Sequence, residues 1–178
     1  MVKGKSDIVV YFSGHGIASQ KDNLTGILPF DVDPNYAIGL SMSKLYQDLA
    51  SMGARSITVY LDACFTGQTR EKNMLIADAR PIIIVPKLDA IPSNMTVLSA
   101  ASSSQISGAL KEKEHGLFTY YVLKGLGGEA DSNKDNNINV TELNEYVSMQ
   151  VQLKAAMDGR EQTPELQGDA NRVLVRFQ

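Results

Sequence analysis

Two apolar runs in the first 67 residues each break off at a turn that carries one reactive side chain. Residues 7–12 (DIVVYF) run into a glycine-flanked turn around His15, and residues 57–61 (ITVYL) run into the turn 62–67 around Cys64. Short runs rich in Val, Ile and Tyr are typical of buried strands. The pattern therefore predicts two strands that deliver an imidazole and a thiol to their carboxyl ends.

The segment between these strands predicts a helix. Apolar residues recur at three-to-four spacing over residues 42–52, Ser41 or Ser43 can cap the first turn, and Gly53 ends the pattern. Residues 17–25 form a polar segment, and the two prolines and two aspartates of residues 26–34 predict a structured loop there. Strand, helix and strand in this order indicate a parallel crossover unit.

The rest of the chain continues the alternation after one long interruption. Residues 68–93 mix charged residues with three prolines and predict a long, partly mobile excursion. Beyond it the periodicity predicts a strand, two helices and a last strand at 95–101, 115–125, 141–157 and 172–177. The alternation indicates a single α/β domain over residues 1–178 with a mostly parallel sheet. Such sheets place active sites beyond the carboxyl ends of their strands.

Composition excludes several classes of function. The 178 residues carry a formal net charge of −3, which provides no basic surface for nucleic acid or for an anionic membrane. No run approaches the roughly 18 apolar residues that a membrane helix needs. Cys64 is the only cysteine, so an intrachain disulfide and a cysteine-based zinc cluster are excluded. A lone thiol fits a reducing compartment, which favours the cytoplasm.

Cys64 and His15 together predict nucleophilic catalysis. A free thiol has a pKa of about 8.5, and a neighbouring imidazole raises its thiolate fraction and can later protonate a leaving group. Backbone N–H groups of Gly16 and Cys64 can form an oxyanion hole. Taken singly, a lone cysteine is most often a small buried hydrophobe, and a lone histidine in a turn is most often structural. Their occurrence after two strands of the same kind favours catalysis, whereas His115, the other histidine, is expected to be a capping or surface residue.

These residues resemble the caspase-like cysteine peptidases, especially the bacterial metacaspase-like members (orthocaspases). The likeness rests on YFSGHG at 11–16 and DACFTG at 62–67, is supported by 28–33, 97–102 and 115–120, and covers roughly residues 7–150. His15 precedes Cys64 by about 50 residues, a spacing known from caspases. The resemblance implies an α-β-α sandwich, Cys64 as nucleophile, His15 as acid and base, and Gly16 with Cys64 as oxyanion donors. It also implies protein or peptide substrates and no cofactor for the chemical step.

The same resemblance implies which residues form the substrate pocket. Asp62 matches the pocket aspartate of metacaspase-like enzymes, which implies cleavage after Arg or Lys; the alternative is that Asp62 caps its own turn. Ser99 and Ser103 fall at the other pocket positions, and Ser103 stands where the family has a second acid. If the basic preference holds, four residues of the excursion are candidate self-cleavage sites: Arg70, Lys72, Arg80 and Lys87.

The start of the chain departs from the family pattern. The family fold normally begins with a strand and a helix before the histidine strand, and the six residues before Asp7 leave no room for them. A sheet that lacks them exposes an apolar edge. We therefore expect association with a second copy, or with a separately supplied N-terminal segment.

Residues 131–142 (DSNKDNNINVTE) match the calcium loop of an EF-hand. Oxygen-bearing side chains stand at loop positions one, three, five, seven and twelve, namely Asp131, Asn133, Asp135, Asn137 and Glu142. Asn136 replaces the usual glycine at position six, and asparagine tolerates the left-handed conformation. Because only three carboxylates would face the ion, the expected affinity for Ca2+ is modest. The alternative is an Asx-rich turn that caps the following helix.

Three classes of function are compatible with these features. The first is a cysteine endopeptidase that cleaves after Arg or Lys. The second is a catalytically silent caspase-like binding or adaptor domain, against which the intact Cys64 and His15 argue. The third is a calcium-binding interaction module, and a calcium-enhanced peptidase would reconcile it with the first.

Overall fold

A six-stranded sheet organises the part of the chain that the computed structural model describes. The described residues are 4–18, 25–31, 40–65, 91–102, 105, 107–110 and 115–178, without the side chains of Ala18, Cys64, Ala109, Leu110 and His115. The strands are β1 (Asp7–Ala18), β2 (Thr25–Ile27), β3 (Leu40–Ser41), β4 (Ser56–Cys64), β5 (Met95–Ser99), β6 (Ala109–Leu110), β7 (His115–Gly116), β8 (Asn137–Asn139), β9 (Glu165–Gly168) and β10 (Val173–Arg176). The helices are α1 (Met42–Ser51), α2 (Leu117–Lys124) and α3 (Val140–Met157).

Helices cover both faces of this sheet. Its strand order is β3-β2-β1-β4-β5-β9; the central strands β1, β4 and β5 are parallel, and antiparallel strands extend the sheet on both sides. Helix α1 packs against the face formed by Ile57, Val59 and Leu61. Helices α2 and α3 pack against the opposite face, which includes Tyr60 and Leu98. The predicted α-β-α sandwich with a mostly parallel central sheet is thus confirmed.

The crossover helix follows its predicted pattern. The Ser41 hydroxyl caps α1 by accepting a hydrogen bond from the Lys44 amide at 3.4 Å. Met42, Tyr46 and Leu49 are buried on the side that faces the sheet. Because no charged residue complements either end of this helix, burial of these side chains, worth roughly 1.5–3 kcal/mol each, is what holds it in place.

Two stretches that were predicted to be a turn and a loop are strands. β1 stays extended through His15 to Ala18, so the predicted glycine-flanked turn is wrong. The loop prediction is wrong for Gly26 and Ile27, which belong to β2. Gly16 pairs with Ile27 in an antiparallel ladder between β1 and β2. Glycine and polar residues have low strand propensity, but pairing with neighbouring strands outweighs it here.

The strand that carries Cys64 is also longer than predicted. β4 ends at Cys64 rather than at residue 61, and it pairs with β1 in continuous parallel register from Ser56 onward. Ala63 is small enough to be buried, and Asp62 finds hydrogen-bond partners inside the protein. The ladder therefore continues through three positions, 62–64, at which the sequence predicts a turn.

The carboxyl-terminal half differs from the prediction in several elements: β5 ends at Ser99 rather than at residue 101, and β6, β7 and β8 were not predicted. Helix α2 begins at Leu117 rather than at residue 115, and it continues into a π turn, Gly125–Glu129. The sequence did not predict β9, which adds an antiparallel edge strand beside β5. The predicted last strand is confirmed as β10, which pairs with β8 outside the main sheet.

Several predictions fall on residues outside the described ranges. These are Ser103, the four candidate self-cleavage residues and all of the excursion except 91–93. The extent of the domain over 1–178 also stays a prediction. Within the described residues, no helix is both long and apolar enough to cross a membrane.

One side of β1 carries apolar residues that are open to solvent. Among the described strands, residues 7–15 of β1 pair only with β4. Val9 is 67% exposed and Tyr11 is 54% exposed. Exposed apolar side chains on a strand favour association with another chain, and that association stays a prediction.

Candidate active site

The parallel register of β1 and β4 brings His15 and Cys64 to the same position. Their Cα atoms are paired at the carboxyl end of the ladder, two rungs beyond the pair formed by Ser13 and Asp62. Neighbouring strands lie about 4.8 Å apart. The structure thus places the backbones of the two predicted catalytic residues side by side at the edge of the sheet where α/β proteins hold their active sites.

The backbone next to His15 is fixed by the hairpin that follows. The Leu28 amide donates a hydrogen bond to the His15 carbonyl at 2.9 Å, and Gly16 is buried. The imidazole itself is half-buried. A histidine held in a paired strand has less freedom than one in a turn, so its position relative to β4 is well defined. The oxyanion role of Gly16 and Cys64 stays a prediction.

Asp62 lies against the amino-terminal end of helix α2. Its Oδ2 accepts hydrogen bonds from the Thr119 hydroxyl at 2.5 Å and from the Thr119 amide at 3.3 Å. The first amides of a helix have no partner within the helix, and Gly116, the N-cap of α2, has no side chain to satisfy them. Asp62 therefore caps α2 from a different element, and its negative charge is favourable at this end of the helix dipole.

The Thr119 contacts add a partner for Asp62 that neither interpretation of this residue included. Residue 62 lies within β4, and its carboxylate accepts hydrogen bonds from a helix 57 residues away; the alternative that it also caps its own turn stays a prediction. The side chain is 0% exposed. Its role in a substrate pocket stays a prediction.

A second acid that the sequence analysis missed lies near the end of β5. Ser99, the half-buried last residue of β5, is paired with Leu61 on one side and with Glu165 on the other. Partial burial raises the pKa of Glu165. The segment around Glu165 (ELQG) has neither strand periodicity nor a motif, so no sequence signal pointed to it.

The predicted calcium loop forms a network of Asx turns. Asp131 accepts hydrogen bonds from the amides of residues 135 and 136, at 3.2 and 3.0 Å. The Asn137 amide donates to Asp135 at 2.8 Å, which lowers the pKa of Asp135. Asn136 has a φ of 61°, the left-handed conformation expected at loop position six. Asn139 and Glu142 form a capping box at the start of α3, as the Asx-turn alternative expects.

Metal ligation in this loop stays a prediction. Within the described ranges, no three His, Cys, Asp or Glu side chains come together in a way that could hold a metal ion. Glu142, which would be the twelfth-position ligand, is 7% exposed and is engaged in the capping box.

A cavity of about 730 Å³ lies at the opposite edge of the sheet, where the strands begin. Among the described residues, its lining includes three arginines, Arg55, Arg172 and Arg176. The Arg55 guanidinium binds Asp7 and lowers the pKa of that carboxyl to about 2, and Arg172 donates to the Thr58 hydroxyl at 2.7 Å. Two of the three cations are therefore already engaged in structural contacts far from the His15–Cys64 edge.

The fold and the strand register place this chain in one class of proteins. In this class, an α/β sheet brings a histidine and a cysteine to the carboxyl ends of adjacent parallel strands. The sequence profile of the caspase domain matches residues 1–175. The chain belongs to the caspase domain family.

Solved structures show the same fold at low sequence identity. The crystal structure of protein GSU0716 from Geobacter sulfurreducens has a TM-score of 0.57 and 15% identity, over 96% of this chain and 71% of that one. Caspase-1 from Spodoptera frugiperda has a TM-score of 0.53 and 13% identity, over 96% of this chain and 62% of that one. The chain thus spans less than two thirds of that caspase. No curated protein matches the chain in sequence.

Proposed function

We propose that this chain is a cysteine endopeptidase of the metacaspase-like kind, with Cys64 as nucleophile and His15 as general acid and base. The supporting observation is that the two residues share one register position at the carboxyl end of β1 and β4. Membership of the caspase domain family adds to it. The lone cysteine further favours the cytoplasm as its location.

Cleavage would proceed through a thioester. His15 accepts the thiol proton, and the Cys64 sulfur attacks the carbonyl carbon of the scissile bond. The carbonyl oxygen gains negative charge and binds the backbone N–H groups of Gly16 and Cys64, each worth roughly 3–4 kcal/mol in enzymes where this was measured. Protonated His15 then donates its proton to the leaving amine. Water that loses a proton to His15 hydrolyses the thioester and restores the thiol.

We further propose that the substrate carries Arg or Lys before the scissile bond. Asp62 supports this because its carboxylate lies two residues before Cys64. Since Asp62 is fully buried, its charge would act on the substrate through protein of low dielectric, where Coulomb attraction is only weakly screened. Ser99 and Ser103 complete the proposed pocket, and Glu165, paired with Ser99, adds negative charge beside it.

Hydrolysis of paired fluorogenic peptides tests this function. The peptides end in Arg, Lys or Asp and are otherwise identical. We expect the fluorophore to be released at least tenfold faster after Arg and Lys than after Asp. The reason is that loss of one favourable charge contact of about 1.4 kcal/mol with the pocket lowers a rate by that factor. Preference for Asp would retain the peptidase but contradict the pocket. A silent adaptor domain would cleave none of the three and would react slowly with an arginine-directed peptide ketone.

Calcium binding at 131–142 is a second proposal, supported by the left-handed Asn136 and the exit helix α3. We expect 1 mM Ca2+, relative to EDTA, to raise the melting temperature, since a ligand that binds only the folded state stabilises it. In Asp131→Asn with Asp135→Asn, this rise should vanish. An equal melting temperature in Ca2+ and EDTA would favour the Asx-turn interpretation.

A further inference from the structure

Three elements of the candidate site meet at the side chain of Thr119. Its Oγ1 lies 2.5 Å from Asp62 Oδ2 on β4 and 2.9 Å from the Tyr11 hydroxyl on β1. Thr119 itself belongs to the first turn of α2 and is only 8% exposed. One hydroxyl therefore connects the two strands that carry His15 and Cys64 with the helix that packs on them.

The chemistry of these groups fixes the direction of both hydrogen bonds. A carboxylate accepts hydrogen bonds and donates none, and a hydroxyl has one hydrogen to donate. Thr119 must therefore donate to Asp62, which leaves Tyr11 to donate to Thr119. The chain of hydrogen bonds runs from Tyr11 through Thr119 to Asp62, and the buried carboxylate makes the last bond the strongest.

The position of this chain matters for the proposed reaction. Tyr11 lies four residues before His15, and Asp62 lies two residues before Cys64. The Thr119 amide binds the same Asp62 oxygen as its hydroxyl does. Loss of the hydroxyl would leave the buried Asp62 carboxylate with one hydrogen bond fewer, and such a carboxylate gains by moving toward water.

We propose that Thr119 is a positioning residue that holds Asp62, and through it the end of β4 that carries Cys64, against helix α2. The kinetic readout of this inference rests on the proposed peptidase function. The Tyr11 hydroxyl supports Thr119 from β1 through their hydrogen bond.

The test compares Thr119→Val, which removes the hydroxyl, with Thr119→Ser, which keeps it. Thr58→Val is the matched control, because Thr58 is also a buried threonine with a hydrogen-bonded hydroxyl: it is 5% exposed and accepts a hydrogen bond from Arg172. It lies on β4 as well, but six residues before Cys64. We measure three properties of each variant: the rate of labelling by an arginine-directed peptide ketone, kcat and KM for the arginine peptide, and the melting temperature.

We expect labelling and kcat of Thr119→Val to fall by about 10–100-fold, the effect of a displacement near 1 Å at a reacting group. Thr119→Ser should stay within about threefold of the parent in kcat, because it keeps the donor. Thr58→Val should lower the melting temperature and leave labelling unchanged. If Thr119→Val has the labelling rate and kcat of the parent and only a lower melting temperature, Thr119 has a purely structural role and the proposal is overturned.

Hydrogen exchange separates this proposal from the proposed function. If the parent neither cleaves nor is labelled, the peptidase assignment fails, and the amides of residues 62–65 then decide the positioning role. Faster exchange there in Thr119→Val, and not in Thr119→Ser or Thr58→Val, supports it. Equal exchange in all three variants overturns it.

Discussion

Replacing Cys64 by alanine is expected to abolish peptide cleavage, and replacing His15 by alanine is expected to reduce kcat by roughly 10³-fold or more. Without the sulfur no thioester can form. Without the imidazole the thiol ionises unaided and the leaving amine receives no proton from the enzyme. The measurement is kcat for the arginine peptide in both variants and in the parent.

Labelling of Cys64 at two pH values isolates the part played by His15. An isolated thiol has a pKa of about 8.5 and is mostly protonated at pH 7. Labelling of His15→Ala should therefore be slow at pH 7 and should approach the parental rate near pH 9. The matched control is His115→Ala, which removes the only other histidine and should label at the parental rate at both pH values.

Two outcomes would contradict the pairing. Cleavage that persists in Cys64→Ala would exclude the thiol as nucleophile. Parental labelling of His15→Ala at pH 7 would mean that the shared register position of His15 and Cys64 has no chemical consequence. A silent adaptor domain is the better description only if the parent itself cleaves none of the peptides.

The pairing of His15 with Cys64 could be predicted because it follows from the strand pattern alone. Two β-branched runs with one amphipathic helix between them form adjacent parallel strands, and parallel strands end at the same edge of the sheet. The family resemblance added the roles of the residues. Neither argument required knowledge of any contact between distant side chains.

The local structure at the two strand ends could not be predicted. Glycines around His15 and the polar Asp62 favour turns by propensity, yet both lie in strands because the β1–β4 ladder continues through them. Strand formation at such positions depends on the partner strand, which local sequence does not contain. Short edge strands such as β9 escape prediction for the same reason.

The hydrogen-bond partner of Asp62 could not be predicted from the sequence for a further reason. Its partner Thr119 is 57 residues away in the chain and lies on a helix that was predicted mainly from its apolar residues. A threonine within a helix pattern gives no indication that its hydroxyl meets a carboxylate. The resemblance indicated that Asp62 matters, and only the structure identified what it touches.

Gly116→Ala is expected to lower the free energy of unfolding by about 1–3 kcal/mol, the usual cost of overpacking. Gly116 has φ −61° and ψ 142°, a conformation that alanine adopts readily, so the backbone is not the obstacle. An added Cβ would lie 1.9 Å from Asp62 Oδ2, the oxygen that Thr119 holds. Either Asp62 must leave Thr119, or the start of α2 must move away from β4.

Urea unfolding of Gly116→Ala and Gly127→Ala measures this effect against a matched control. A Cβ at Gly127 would meet nothing within 4 Å, so its replacement should be neutral or stabilise by up to about 1 kcal/mol through the unfolded state. If both variants unfold at the parental midpoint, Asp62 is not held as tightly as its contacts indicate. If only Gly116→Ala is destabilised and also labels Cys64 slowly, the contact between α2 and β4 is what keeps the proposed nucleophile in position.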